Sequence, residues 1–191
     1  MPPHSHARDV FSVEKAAHLD TKFRRFLYRP DRLAERYVKP GDRVLDFGCG
    51  PGFFTREFAK RVGEEGLVIS ADLQEGMLDI VSTKMEAEGL ASRVRTHICK
   101  SDSLDLFPEK DGPVNAAFAI FVVHEVPDRA KLFREIAAML VPGGIFFYSE
   151  PPFLVSGKEF TENLALLEKD GFQVAKRRWY FVNRAAVLRK K

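Results

Sequence analysis

Cysteine is scarce in this 191-residue chain: Cys49 and Cys99 are the only two. Two thiols without CxxC spacing supply neither a disulfide scaffold nor a zinc site, and free thiols fit a reducing compartment. No run of about eighteen apolar residues occurs, so no membrane-spanning helix is expected. The opening "MPPHSHARDV" is polar where a secretory signal carries an apolar stretch. A cytoplasmic protein is the expectation. Internal repeats and low-complexity segments are absent, and no convergent Asp/Asn set suggests a metal site. Acids are missing from one region entirely: residues 171–191 hold 7 Lys+Arg and 0 Asp+Glu. Residues 1–40 hold 9 against 5, which leaves the middle with 14 against 22. Basic ends that meet in space would form a positive surface for an anionic partner. The plainer alternative is that "KRR" (176–178) and "RKK" (189–191) solvate an edge strand and a tail.

The length, with 45% hydrophobic residues, supports a single core and hence one domain over residues 1–191. From Asp42 onward, short apolar runs alternate with longer amphipathic ones, the pattern of β-α units. Strands are expected at 43–47, 67–73, 94–99, 114–123 and 144–150. Helices are expected over 52–63, over 74–89 with Met77, Ile80, Val81 and Met85 inward, and from Asp128 to Leu140. The last of these ends at "VPGG", whose proline and glycines suit a helix terminus. A further helix covers 157–171, and "FQVAKRRWYFVNRAAVLRK" reads as two strands joined by a tight turn. Residues 1–40 differ: Ala16, Leu19, Phe23, Phe26 and Leu27 mark a helix, Arg29-Pro30 breaks it, and "DRLAERYV" forms a second. Helices preceding the first strand lie outside the crossover order, either packed on the sheet or across the ligand crevice as a partial lid.

The stretch "VLDFGCGPGFF" (44–54) places three glycines behind an apolar strand and an acid. In an open parallel sheet, ligands sit beyond the carboxyl ends of the strands, beside the first one. A dinucleotide fingerprint reads G-x-G-x-x-G; here Gly48, Gly50 and Gly52 run G-x-G-x-G, with Phe53 where the third glycine would stand. Asp46 would repel a pyrophosphate and attract an ammonium group. Twenty residues after Gly52, Asp72 ends the second strand, the placement of an acid that accepts from ribose hydroxyls. Asp102, after the third strand, stands where an adenine amine needs an acceptor. A nucleoside with an amine and no phosphate is S-adenosylmethionine.

"VLDFGCGPG", "ADLQEGML", "SDSLDLF", "FVVHEVPD" and "LVPGGIFFYSEP" resemble, in order and spacing, the motif series of the class I S-adenosylmethionine-dependent methyltransferases over about residues 42–152. The resemblance implies a three-layer, Rossmann-like α/β sandwich with a seven-stranded, mostly parallel sheet of order 3-2-1-4-5-7-6, its last strand antiparallel. It implies that Asp46, Gly48 and Gly50 hold the methionine part of the cofactor, Asp72 the ribose, and Leu73 and Asp102 the adenine, with Phe121 lining the cleft. The segment "SVEKAAHLDTKFRRFLYRP" is also similar to the leader of a small subgroup of these enzymes, with Phe11-Ser12 where such leaders often carry Cys-Pro.

Methyl transfer from a sulfonium requires mainly alignment of the nucleophile. A base is needed where the acceptor is protonated, as an alcohol, phenol or ammonium is. His124 and Glu125, just past the fourth strand, are the candidates, His124 first because imidazole titrates near neutrality. The alternatives are a histidine packed on the cofactor and a glutamate ordering the "VPD" turn, while Glu150 faces either the acceptor or solvent. "VVHE" stands where amino methyltransferases carry Asn/Asp-Pro-Pro-Tyr, and neither cysteine is placed to bind a metalloid. The expected acceptor is a small, partly apolar molecule, in a pocket built by the leader helices, Tyr28, Tyr37 and the "PPFLVS" turn; nucleic acid is not the expected partner. The alternative is a non-catalytic S-adenosylmethionine-binding module docking an anionic macromolecule through its basic termini. A nicotinamide oxidoreductase is opposed by the loop spacing.

Overall fold

Strands that carry apolar residues on both faces must be covered on both faces, and alternation along each strand divides their side chains between two cores. Leu45, Ile69, Ala117, Ala119, Phe146 and Tyr148 enter one core, while Val44, Val68, Ala116, Phe118 and Phe147 enter the other. The computed structural model describes residues 21–191, so Ala16 and Leu19 of the expected first helix lie outside the described residues.

The strands are β1 (Arg43–Phe47), β2 (Leu67–Asp72), β3 (Val94–Ile98), β4 (Val114–Ile120), β5 (Leu140–Glu150), β6 (Phe172–Tyr180) and β7 (Asn183–Lys190). They form one sheet of order β3-β2-β1-β4-β5-β7-β6. β1 to β5 are mutually parallel, and β7 runs antiparallel to both β5 and β6. The expected architecture and order are both present. Helices α1 (Lys22–Tyr28), α2 (Pro30–Tyr37), α3 (Thr55–Val62), α4 (Glu75–Ala87), α5 (Pro108–Asp111), α6 (Arg129–Met139) and α7 (Gly157–Lys169) complete the chain. Leu33 of α2, Phe58 of α3 and Val81 of α4 fill one core. Phe133 of α6 and Leu164 of α7 fill the other. Phe58 stacks on Phe118 with ring centroids 4.2 Å apart. Asp128 and Ser156 cap α6 and α7, each accepting from a backbone N–H three residues on.

Three expectations are corrected. α6 stops at Met139, and "VPGG" does not end a helix; it lies within β5. There the register against β4 shifts, Val114 facing Leu140 and Ala116 facing Ile145, so the extra residues bulge out of the ladder. β4 ends at Ile120, three residues early, because Phe121 adopts a left-handed φ of 64° and turns the chain. In α1, Phe23 and Phe26 do not face inward: they are 70% and 73% exposed. Tyr28 packs instead, its ring meeting those of Phe53, Phe121, Tyr180 and Phe181.

The break between α1 and α2 falls at Arg29-Pro30 as expected. Arg29 takes a left-handed φ of 45°, and its guanidinium grips Asp31 through two hydrogen bonds of 3.2 and 3.0 Å. α1 is tied to the far edge of the sheet where Tyr180 Oη donates to Tyr28 O at 2.6 Å. The basic "KRR" run lies on β6, the outermost strand, as the edge-strand reading expects. Among the described residues, no helix is long and apolar enough to cross a membrane. Tyr180→Phe leaves the Tyr28 carbonyl without its donor. It should lower stability by about 1 kcal/mol in urea titration and speed amide exchange along α1 more than along α6.

Candidate active site

The glycine loop is pinned by its own backbone. Gly48 N–H and Cys49 N–H both donate to Ala71 O, at 2.8 and 3.1 Å, which lashes the exit of β1 to the end of β2. Gly50 N–H donates to Asp72 Oδ2 at 2.9 Å, and Gln74 N–H to the other carboxylate oxygen at 3.0 Å. Gly48 has a φ of 66°, and a Cβ there would stand 2.2 Å from Val122 Cγ2. Only glycine lets the loop pass so close to the turn after β4.

Above the loop opens a cavity of about 570 Å³ at the carboxyl ends of the parallel strands. Gly48, Gly50, Asp72, Leu73, Asp102, Phe121, His124 and Glu125 all line it. These eight predicted positions, drawn from the carboxyl ends of four strands, thus converge on one space. Leu73 is 41% exposed there, an apolar side chain at a strand end with nothing packed over it. Asp102 sits at the rim, its side chain 77% exposed and 3.5 Å from Lys131 Nζ.

Asp46 is not on the wall. Its carboxylate is buried behind the loop, where it accepts from Thr55 Oγ1 at 2.7 Å; Ser70 Oγ in turn donates to Thr55 Oγ1 at 3.2 Å. Burial pushes its pKa up to about 7, opposed by the Thr55 hydrogen bond and aided by the Asp72 charge. Asp46 thus lies behind the cavity wall and braces the loop from beneath. Burial raises Asp72 as well. It also pushes the Cys99 thiol up to about 12 and Cys49 well above its ordinary value, so neither cysteine offers a thiolate.

The turn after β4 meets a group for which the sequence suggested no single role. Glu150, at the end of β5, faces neither acceptor nor solvent: it is fully buried, and its Oε2 lies 2.7 Å from His124 Nδ1. Its other oxygen accepts from the His124 backbone N–H at 3.2 Å. A carboxylate that takes the Nδ1 proton's hydrogen bond leaves Nε2 as the acceptor of a neutral ring. Glu125 Oε1 stands 3.9 Å from that Nε2, and burial pushes its carboxyl up to about 6. The strand order β4-β5 is what brings Glu150 beside the turn after β4, a proximity that the linear sequence hides. Arg24, Tyr28, Leu154, Val182 and Asn183 also line the cavity. Tyr37 does not; its hydroxyl accepts from Arg178 and its ring packs on Phe147. Among the described residues no cluster of His, Cys, Asp and Glu fits a metal ion.

A family model described as "Methyltransferase domain" matches residues 44–144, more than half of the chain. The chain belongs to that family. It is similar to the ubiquinone/menaquinone biosynthesis C-methyltransferase UbiE of Vibrio vulnificus, 33% identical over 142 residues that cover 72% of this chain and 54% of that protein. The corresponding protein of Idiomarina loihiensis is 33% identical over 129 residues, covering 63% and 50%. The chain thus spans about half the length of these relatives. Among solved structures, an S-adenosylmethionine-dependent methyltransferase from Aquifex aeolicus superimposes with a TM-score of 0.84 at 25% identity, covering 95% of this chain and all of that one. A TehB-like enzyme from Corynebacterium glutamicum, TM-score 0.71 at 17% identity over 94% of this chain and 98% of that one, shares the fold. This methyltransferase is of class I, and S-adenosylmethionine is the cofactor. The residues fit it: a carboxylate at the end of β2, an uncovered Leu73 beside it, and a loop whose Gly48 leaves no room for a side chain.

Asp46 generates a pH dependence. Its folded pKa lies above the ordinary 3.8, so between about pH 4 and 7 the native state holds more protons than the unfolded chain, and stability falls as pH rises. Asp46→Asn should flatten that fall when urea midpoints are compared across this range. Gly48→Ala, driven into Val122 at a left-handed φ, should cost about 2–3 kcal/mol in the same titration.

Proposed function

We propose that this methyltransferase acts on a small, flat, largely apolar acceptor that carries an ionisable hydroxyl, with His124 as the base. The observation that carries the reading is His124 on the wall of a cavity that Tyr28, Phe121 and Leu154 also line, backed by the fully buried Glu150 at 2.7 Å. When bound, S-adenosylmethionine supplies a methyl group on a positively charged sulfur, already activated for displacement.

The chain's own residues have three tasks. Asp72 accepts from the ribose hydroxyls, and Leu73 with the rim acid Asp102 borders the adenine. Gly48 and Gly50 let backbone approach the methionine part, held in shape by Asp46 through Thr55. The aromatic side chains of Tyr28 and Phe121, with the leader helix α1 as one wall, orient the acceptor and exclude water. His124 Nε2 takes the hydroxyl proton, which raises electron density on the oxygen and on ring carbons conjugated with it. Glu150 fixes the imidazole's tautomer and stabilises the charge it gains. The relatives' names specify C-methylation in quinone biosynthesis, which suits a hydroxylated ring of this kind. The dyad on the cavity wall favours turnover over the binding-module alternative, which has no use for a base there.

The test combines calorimetry with turnover. S-adenosylhomocysteine should bind with micromolar affinity, and Asp72→Ala should abolish the heat. With hydroxylated naphthalene acceptors, His124→Ala should lower kcat about a hundredfold or more with cofactor affinity kept, and Glu150→Gln should lower it less. Equal kcat in wild type and His124→Ala contradicts a base at this position.

A further inference from the structure

Four large apolar side chains are left exposed on the turn after β5, the end of β6 and the β6–β7 turn. Phe153, in the turn after β5, is 81% exposed, and Trp179, near the end of β6, is 60% exposed. Phe181 and Val182, in the β6–β7 turn, are 48% and 52% exposed. Phe153 and Val182 line the cavity. Trp179 faces Arg184 in the strand register, and Arg184 Nη1 donates to Val155 O at 2.9 Å, which ties it to the turn that carries Phe153. Phe181 meets the cavity residue Tyr28, ring centroids 5.4 Å apart. Phe153 and Val182 therefore border the cavity mouth, with Trp179 and Phe181 close to Val182 along the chain at the same end of β6 and β7.

Of the 7 Lys+Arg in residues 171–191, Arg177, Arg178 and Arg184 lie at the mouth end of β6 and β7, whereas Arg189 and Lys190 donate to Gly143 O and Leu140 O at the far end of β5. The cavity acids Asp72 and Asp102 follow β2 and β3 on the other half of the sheet. Arg184 Cζ lies 5.8 Å from the Trp179 ring centroid, so cation and aromatic share one patch. Adjacent uncovered apolar residues at turn tips mark a surface that meets something other than water. Three of them sit on two turns and Trp179 near the end of β6, which suits insertion among lipid headgroups better than the flat packing of a protein partner. Tryptophan and phenylalanine flanked by arginine suit a bilayer interface, and anionic lipid attracts the cations.

We propose that this rim docks on an anionic bilayer, with Trp179, Phe181, Val182 and Phe153 among the headgroups and the cavity mouth facing the lipid. The acceptor then enters from the membrane. That consequence rests on the apolar acceptor proposed above; the docking does not.

Trp179 is the chain's single tryptophan, so its emission reports on the rim directly. Vesicles of phosphatidylcholine with phosphatidylglycerol, added to the full chain, should shift that emission to the blue and carry the protein into the pellet, less so as salt rises. Vesicles of phosphatidylcholine alone should do so weakly. Phe181→Ser/Arg177→Ser, which keeps Trp179, should lose affinity for the mixed vesicles about tenfold while binding S-adenosylhomocysteine as wild type does. Emission unmoved by the mixed vesicles overturns the proposal, as does wild-type vesicle affinity in the variant. A shift with single-stranded RNA and none with vesicles also overturns it and assigns the patch to nucleic acid. Vesicle binding needs no turnover, so a chain that docks but methylates nothing contradicts the function proposed above and leaves the docking intact.

Discussion

The site depends on how the end of β1 is fastened to the end of β2. Two consecutive N–H groups, of Gly48 and Cys49, share the Ala71 carbonyl, and a third, of Gly50, reaches Asp72. The loop can close this tightly because Gly48 carries no side chain to strike Val122. Asp72 is thereby held at the cavity wall, partly desolvated, with both oxygens engaged by backbone donors. Asp46, Thr55 and Ser70 support the same loop from within the core. A buried acid whose proton is retained toward neutrality is a stability cost, and its place beneath the loop shows where that cost is borne.

The opposite wall is built by a second constraint, the parallel pairing of β4 with β5. That pairing sets Glu150 beside the turn formed by Phe121 to Glu125, and two hydrogen bonds to one residue fix His124 in both backbone and ring. The fully buried carboxylate is stable there because the imidazole and two backbone N–H groups satisfy it, opposing the desolvation that raises its pKa. A cavity with the glycine loop and Asp72 on its β1–β2 wall and Phe121 and His124 on its β4 wall follows from the strand order.

Much of this was legible in the chain. The alternation of apolar runs predicted the β-α units, the resemblance of the motif series implied the strand order, and Asp72, Leu73, Asp102, Phe121, His124 and Glu125 all reach the cavity. What escaped the sequence depended on long-range pairing. Glu150 was expected to face the acceptor or solvent, since its partner lies 26 positions away. Asp46 was placed by charge logic on the ligand side, but the pleat of β1 turns its side chain toward α3, where Thr55 meets it. "VPGG" has the chemistry of a helix terminus, yet the β4 register absorbs it as a bulge in β5. The leader was misread by face: Phe23 and Phe26 suited an inward stripe, and Tyr28 took that place because only its ring reaches the aromatic group around Phe121 and Tyr180.

The most direct test of the two-walled cavity is a crystal structure with S-adenosylhomocysteine bound. The account predicts ribose hydroxyls within hydrogen-bond reach of Asp72, the base beside Leu73, and the sulfur directed toward the space bordered by His124 Nε2. A ligand bound elsewhere, or with its sulfur turned away from His124, would contradict it.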